Sequence, residues 1–545
     1  MGSMLKNKGL YALLLLIAIS AQSQAAPGMS NLLFYGLAAL AMVLFFFLIV
    51  SVADNLMVIE GRQSGADRTG ANFSLFPKAN ELFGKKAPGY LDDEPVYSLK
   101  KGHDIPLEGK ATKKISTADG VTRYAVQPPN FLGLRPIPKV TVEVGDSVKA
   151  GDVIFHDKNM DRIKFVAPVS GEVLEVRRGA KRAITEVIIL ADKDQQSRSY
   201  ELPAADADRA TLVDFLLESG VWPFIRQRPY NVVADPEVTP RDIFISTFDT
   251  APLAADLSYT VEGRMDAFQA GLDVLNRLTD GLVYLGLDGR GDEAPSPVFT
   301  EAKGVQKRYF RGAHPAGNVG VQIHHIHPAG PKDKIWTLNV DGVLTIGELF
   351  LSGRYDASRL VALTGAPMAE PHYVRTHVGA NVGELLKGLV INKKDGEAVR
   401  YISGNVLTGQ EKNEDQFLNF RDNQVTLITE GSEPEIFGWL LPLKQRASIS
   451  PTIPVLTDHL EVTTNTHGEK RAFVVTNDYE QVMPMDIYTQ QLMKAILVND
   501  FETMEGLGIY ELVEEDVALA EFACVSKQPL QSILRKGLDT MREQG

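Results

Sequence analysis

Between Leu32 and Val52 the chain runs about 21 residues without a charge, long enough at about 1.5 Å per residue to cross a hydrocarbon core of about 30 Å. A segment of this kind satisfies its own backbone only as a helix, so the chain divides into a lipid-borne helix and whatever follows it. A shorter apolar stretch, Leu10 to Ile19, follows Lys6 and Lys8 and is closed by Ser23-Gln24-Ala25, which has the form of a secretory signal. Either the first segment is cleaved and the second stops transfer, or both persist as a hairpin. Both topologies leave Asp54 onward in the cytoplasm. The charge bias agrees: the loop Gln22 to Asn31 has no Lys or Arg, whereas Lys6, Lys8, Arg62 and Arg68 lie on the inner side. An external bulk would need the second helix reversed against this bias.

The remainder is too long for one core. At 545 residues, three or four domains are expected, and 44% hydrophobic with 23% charged residues is ordinary for folded protein. A net charge of −13 without a segregated basic face argues against nucleic acid as a partner. Cys524 is the only cysteine, which excludes an internal disulfide and an iron–sulfur cluster held by this chain alone.

Changes of pattern divide the chain into a signal-like segment (1–26), a transmembrane helix (31–53), a Gly-, Pro- and charge-rich tether (54–97) and four folded parts (98–195, 205–357, 358–480 and 481–545). In the first folded part, short alternating runs with turns at Gly145-Asp146, Gly151-Asp152 and Ser170-Gly171 predict a small β-sandwich that looks like a biotinyl/lipoyl domain. Asp157-Lys158 is the nearest match to the lipoylated pair, but it stands about two residues too far from Ala167-Pro168, so the module is read as structural. Next, a helix (Ala210 to Ser219), a strand (Asp242 to Thr247), a helix (Val261 to Leu278) and a strand (Leu282 to Leu287) predict a Rossmann-like parallel α/β domain. Its functional surface lies outside the strands' carboxyl ends, where the loop Asp249 to Asp256 sits.

Gly289-Arg290-Gly291-Asp292-Glu293-Ala294 matches the dinucleotide fingerprint formally, yet Pro295-Ser296-Pro297 follows where a helix should start, so it is read as a surface turn. Gln322 to His327 reads as a strand with His325 and His327 on one face and His324 on the other, which supplies two convergent imidazoles and no metal site. His314-Pro315-Ala316-Gly317 and His327-Pro328-Ala329-Gly330 read as two similar turns, each imidazole bonded to backbone. Val343 to Leu351 reads as a helix. From Arg359 the pattern looks like a β-grasp domain of the soluble-ligand-binding type, followed by a strand-rich stretch and a helical C-terminus over Asp486 to Asp500 and Glu514 to Arg542. The acids Glu514, Glu515 and Asp516 suit a helix's first turn and need no catalytic role.

The most unusual stretches are Ser219-Gly220-Val221-Trp222-Pro223-Phe224-Ile225-Arg226-Gln227-Arg228-Pro229 and Phe248-Asp249-Thr250-Ala251-Pro252-Leu253-Ala254-Ala255-Asp256. Arg226 and Arg228 beside buried aromatics either pair with carboxylates or face an anionic ligand, and guanidinium geometry favours the carboxylates. Together with His314-Pro315-Ala316-Gly317, Trp336-Thr337-Leu338-Asn339, Phe437-Gly438-Trp439 and Met483-Pro484-Met485-Asp486, they resemble, in the same order, the A-type subunits of sodium-translocating NADH:quinone reductases. The resemblance covers Ser98 to the C-terminus and leaves out the anchor.

That resemblance implies a cytoplasmic-face subunit taking part in quinone reduction, the ubisemiquinone to ubiquinol step, coupled to sodium export in a complex with five other subunits. It implies no redox cofactor on this chain, NADH, flavins, an iron–sulfur cluster, quinone and sodium being handled by the partners. No catalytic, cofactor-binding or metal-ligating residue is assigned. Arg226, Arg228, Asp249 and His314 are the candidates for a quinone-side or partner-facing surface. The domain order is also similar to the C-type subunits of Rnf complexes and to the NADH-binding flavin subunit of respiratory complex I, which hold flavin in a glycine-rich loop and clusters on cysteines; both features are missing here. A redox-active subunit of the Rnf type is the nearer alternative. A membrane-fusion adaptor of an efflux pump is the other, although Val153 to Pro168 leaves no room for its coiled-coil hairpin.

Overall fold

The computed structural model describes residues 27–63, 88–134, 138–391, 398–431, 446–449, 457 and 459–544. The signal-like segment, most of the expected tether and Phe437-Gly438-Trp439 lie outside them. Two compact units are present, 1–87 and 88–545. In the first, α1 (Pro27–Gln63) contains the apolar span Tyr35–Asp54, with a mean hydropathy of 2.7 and no part of it buried against protein. Among the described residues it is the one helix long and apolar enough to cross a membrane.

The second unit is organised around a seven-stranded sheet built from β1 (Val96–Ser98), β2 (Arg226–Arg228), β3 (Val232–Val233), β4 (Asp242–Ser246), β5 (Val283–Asp288), β6 (Gln306–Arg311) and β7 (Ile335–Leu338), in the order β1-β6-β5-β4-β7-β2-β3. Strands β1, β6, β5, β4 and β7 are parallel, while β2 runs antiparallel to β7 and β3. Continuous apolar runs such as Ile243-Phe244-Ile245 suit strands covered on both faces. From β4 the chain steps outward to β5 and β6 and then returns to the other side of β4 as β7. The order therefore reverses between β4 and β7, which is where doubly wound folds open a crevice at the carboxyl edge.

Helix α2 (Arg209–Glu218) leads into β2, α3 (Met265–Asn276) connects β4 to β5, α4 (Val319–Ile326) connects β6 to β7, and α5 (Val340–Ser352) follows β7. Helices α3 and α5 cross at glycine: a Cβ on Gly347 would stand 1.7 Å from the Ala267 carbonyl oxygen, so no larger residue fits. Helix α4 replaces the strand expected over Gln322 to His327. The reason is topological, since parallel β6 and β7 need a crossover, and that demand overrides the β-branched character of Val319, Val321 and Ile323.

The expected β-sandwich region forms a four-stranded sheet (Arg123–Val126, Ile184–Ala191, Gly171–Arg178, Ser147–Val148) and a three-stranded one (Lys139–Val140, Val153–His156, Lys164–Val166). Asp157-Lys158 lies in the connection between the last two strands. Two segments go elsewhere than their sequence position suggests. Residues 88–97, expected in the tether, bury Leu91 to 4% exposure and supply β1, which pairs with β6 through Val96↔Tyr309 and Ser98↔Arg311. Thr112–Thr117 joins a six-stranded sheet otherwise made by Ser358–Thr364, His372–His377, Val399–Ser403, Gln410–Lys412 and Gln424–Thr429. Beyond it, helices Asp478–Val482, Thr489–Leu497 and Phe501–Gly506, then α6 (Glu514–Ala523) and Leu530–Gln544, bury Leu492, Ile496, Leu519, Leu534 and Leu538 in a separate core.

Candidate functional site

The turn before β2 is fixed by aromatics. Trp222 and Phe224 are fully buried; the Trp222 indole N–H donates to the Ala234 carbonyl at 2.8 Å and the ring meets Trp336 edge-on at 5.3 Å. Such an aromatic contact is worth about 0.5–1.5 kcal/mol beyond its area. With the turn anchored, alternation along β2 puts Arg226 and Arg228 on one face of the sheet and Gln227 on the other.

The two arginines then meet different fates. Arg228 donates from Nη1 to Asp516 Oδ2 at 3.0 Å and from Nη2 to Glu515 Oε1 at 2.9 Å, both on α6. Burial alone would pull its pKa down; Asp516 and Glu515 outweigh that and hold it above the ordinary arginine value. Arg226, at 4% exposure, donates to the Asn130 carbonyl at 2.7 Å and the Asn231 carbonyl at 3.4 Å. Burial, with the nearby positive Arg421, pulls its pKa down to about 9. The favoured pairing with carboxylates therefore holds for Arg228 and not, among the described residues, for Arg226.

At the carboxyl end of β4, the loop carrying Asp249 folds against the turn that carries His314. The Gly317 N–H donates to Thr250 Oγ1 at 3.0 Å, which frees the threonine hydroxyl proton for His314 Nδ1, also at 3.0 Å. Asp249 Oδ1 accepts from Ala251 N–H at 2.7 Å, and Asp104 Oδ1 accepts from His314 N–H at 2.8 Å. Burial lowers the His314 pKa, with Asp249 and Asp104 opposing and Arg290 reinforcing the fall. Asp516 also acts on His314, and Asp249 also acts on Glu515. Arg228, Asp249 and His314 are thus gathered into one electrostatic network at the edge of the crevice, with the acids of α6 as its hub.

Those acids do more than the helix-cap role expected of them. Asp516 Oδ2 accepts from the Val513 N–H at 2.9 Å, a capping contact, while it also pairs with Arg228. Glu515 is pushed up to about 7, by burial first and the Asp516 charge second, although solvent reaching 42% of its side chain screens both. The hydrogen bond from Asn318 Nδ2 to the Glu515 carbonyl, 2.9 Å, ties this end of α6 to the start of α4.

The histidines at the end of α4 and just beyond it take separate partners: His324 Nδ1 lies 2.7 Å from Glu511 Oε2, His325 Nε2 is 2.8 Å from the Pro484 carbonyl, and His327, the residue that follows the helix, has Nδ1 3.1 Å from Asp242 Oδ2. The two His-Pro turns are accordingly not alike, and their imidazoles bind the side chains of Thr250 and Asp242 where backbone was expected. The Gly289–Gly291 turn holds no helix start. Arg290 is gripped by its own Asp288 at 2.9 and 2.7 Å and faces the Phe248 ring. Sequence reasoning missed Asp104, Thr250 and Arg290 as members of the network; the signal for the last two was their place in the loops at the carboxyl ends of two parallel strands. Cys524 is buried, with the Tyr479 hydroxyl 2.8 Å from Sγ and the Gln528 N–H donating to it at 3.3 Å.

Three family descriptions match consecutive parts of the chain: the NqrA N-terminal barrel-sandwich hybrid domain over residues 97–192, the NqrA second alpha/beta domain over 207–355, and the NQRA C-terminal domain over 360–413. The chain is 36% identical over 460 residues to the A-type subunit of the Na(+)-translocating NADH-quinone reductase of Vibrio atlanticus, and equally to that of Alcanivorax borkumensis, covering 83% of this chain and 100% of each relative. The corresponding protein of Rhodopirellula baltica is 36% identical over 461 residues. Among solved structures, an NAD+-reducing [NiFe]-hydrogenase in the air-oxidized state aligns at a TM-score of 0.32 and 11% identity, over 56% of this chain and 55% of that one, too loosely to guide interpretation.

Proposed function

Because the chain belongs to the NqrA family, whose members are components of the Na(+)-translocating NADH-quinone reductase, a multisubunit NADH:quinone oxidoreductase, we propose that it is the cytoplasmic-face component of such a complex, moored by its own helix and taking part in the ubisemiquinone to ubiquinol step. Its five partners, in this reading, handle NADH, flavins, the iron–sulfur cluster and sodium. This chain is a platform without a redox cofactor of its own, and Arg226, Arg228, Asp249 and His314 mark its quinone-side or partner-facing surface.

The observation that carries this reading is how the crevice at the reversal of strand order is furnished. The loop after β4 carries Asp249, Thr250 and Pro252, and the Gly289–Gly291 turn leads to Ser296 and a four-residue helix, Pro297–Thr300, so neither is the glycine-rich loop opening a helix that would hold a flavin. The residues present do not fit a dinucleotide or flavin phosphate at that turn, and one buried, hydrogen-bonded thiol does not fit a cluster. The network instead offers an imidazole able to carry its proton on Nε2, together with a carboxyl group poised near neutral pH at Glu515. These are groups that can donate to a reduced quinone oxygen or order a partner's acidic and basic side chains.

Affinity purification from membranes through a tag on this chain tests the assignment. Recovery of five partners with sodium-stimulated NADH oxidation supports it, and isolation of the chain alone overturns it. Bound flavin absorbance in the separated chain would instead point to a redox-active electron-transfer protein of the Rnf type.

A further inference from the structure

Lys470, Arg471, Val474 and Val475 lie on one segment that the C-terminal helical part holds at both ends. At one end the Arg471 N–H donates to the Ser526 carbonyl at 3.0 Å, and the Gln528 side chain donates to the Arg471 carbonyl. At the other, the Gln490 side chain accepts from the Thr476 N–H at 2.9 Å and donates to the Val474 carbonyl, while Lys494 stands 5.5 Å over the Phe473 ring. The backbone is thus fastened to the helices, yet Val474 is 52% and Val475 70% exposed.

The same contacts bring more of this chemistry alongside. Val525, also exposed, precedes Ser526, and the exposed Lys527 follows it. On the helix Thr489–Leu497, Gln490, Lys494 and Leu497 fall on one face at successive turns, so Leu497 and the exposed Val498 continue the strip past Lys494. Four cations from three segments accordingly stand among five exposed apolar side chains, in a chain of net charge −13, with Glu469 as the acid next to Lys470 in sequence. The sequence shows no segregated basic face because folding assembles this one. Grouped exposed apolar side chains mark a contact surface. Nucleic acid phosphates would use the cations and leave the valines idle. A headgroup layer uses both, since cations meet lipid phosphates while apolar side chains reach the acyl boundary.

We propose that this face rests on the anionic headgroups of a bilayer. Charge complementarity selects the occupant, and α1, long and apolar enough to cross a membrane, keeps a bilayer at high effective concentration around the rest of the chain. The proposal stands apart from the quinone-side reading, since it involves none of those residues and no redox step.

The test places an environment-sensitive fluorophore on Val475→Cys in the full-length protein, with the wild type, whose Cys524 is buried, as the labelling control. The protein is reconstituted in nanodiscs of phosphatidylcholine alone, or of two parts phosphatidylcholine to one of phosphatidylglycerol, each doped with lipid spin-labelled on its acyl chain. Quenching should be about threefold stronger in the anionic discs and fall away at high salt, and Lys470→Gln combined with Lys527→Gln should remove about half of it or more. Both lysines are exposed, so this variant reports on charge without disturbing the core. The label on Val498→Cys should follow the one on Val475→Cys. Equal quenching in the two lipid mixtures, or quenching indifferent to the lysine replacements, overturns the proposal. A probe already shielded in detergent and not quenched by lipid shows a second copy of the chain covering the face, and overturns it too.

Discussion

Arg228 and Asp516 stand 288 positions apart in sequence, yet Nη1 of one meets Oδ2 of the other at 3.0 Å with both side chains out of solvent. This contact fastens the helical C-terminal part to the seven-stranded sheet. Removing one partner strands a buried charge, so Asp516→Asn should cost about 3–5 kcal/mol of unfolding free energy, measured by urea denaturation. The double replacement Arg228→Met with Asp516→Leu should recover most of that loss. Equal damage from the single and double variants would show that the two residues do not act as a pair.

Glu515 gives the network a pH dependence. Its folded pKa, about 7, lies above the ordinary carboxylate value, so between the two the folded chain holds a proton that the unfolded chain has lost. Its stabilising contribution is therefore complete below the ordinary value and is lost as pH rises through about 7. His314 acts in the opposite sense: burial lowers its pKa from 6.5, so its contribution is present above 6.5 and declines as pH falls below it. Glu515→Gln isolates the first effect. The midpoint difference between wild type and this variant should narrow or change sign between pH 5 and pH 8, and a difference that stays flat over that range would refute it.

Gly320 lies in α4, where alanine would normally favour the helix by about 1 kcal/mol. Its Cβ, however, would stand 2.4 Å from both Asp516 carboxylate oxygens and 2.5 Å from Arg228 Nη1. Displacing a buried ion pair outweighs that gain. Gly320→Ala should lower the thermal midpoint and, combined with Asp516→Asn, should lower it by less than the sum of the two single effects.

Leu91 discriminates between a free tether and an integral part of the fold. It is 4% exposed among core residues, and its neighbour Tyr90 donates from its hydroxyl to the Gly291 carbonyl at 3.0 Å. Leu91→Ala should destabilise the second unit by about 2–5 kcal/mol in chemical denaturation. A tether residue would show no effect.

Much of the architecture was legible because local pattern and tertiary demand agree. The run Ile243-Phe244-Ile245, the helix before Gly220 and the charge-free N-terminal span all took the expected form. The failures share a cause, which is that pairing across long sequence separations leaves no local trace. Val96–Ser98 is too short to announce itself as a strand, and Thr112–Thr117, which reads as part of the sandwich, pairs with His372–His377. Arg226 and Arg228 look equivalent in sequence; only the folded chain brings α6 to one of them. The acids of α6 looked like simple caps because half of their role depends on a strand nearly three hundred positions away.

The strands that residues 96–117 lend to two distant sheets impose an order on synthesis. Val96–Ser98 leaves the ribosome long before Gln306–Arg311, and Thr112–Thr117 long before His372–His377, so both wait with open edges while the intervening sandwich folds between them. An amino-terminal fragment of this protein is consequently a sticky intermediate, and the nascent chain is one whose completion a chaperone would have reason to attend.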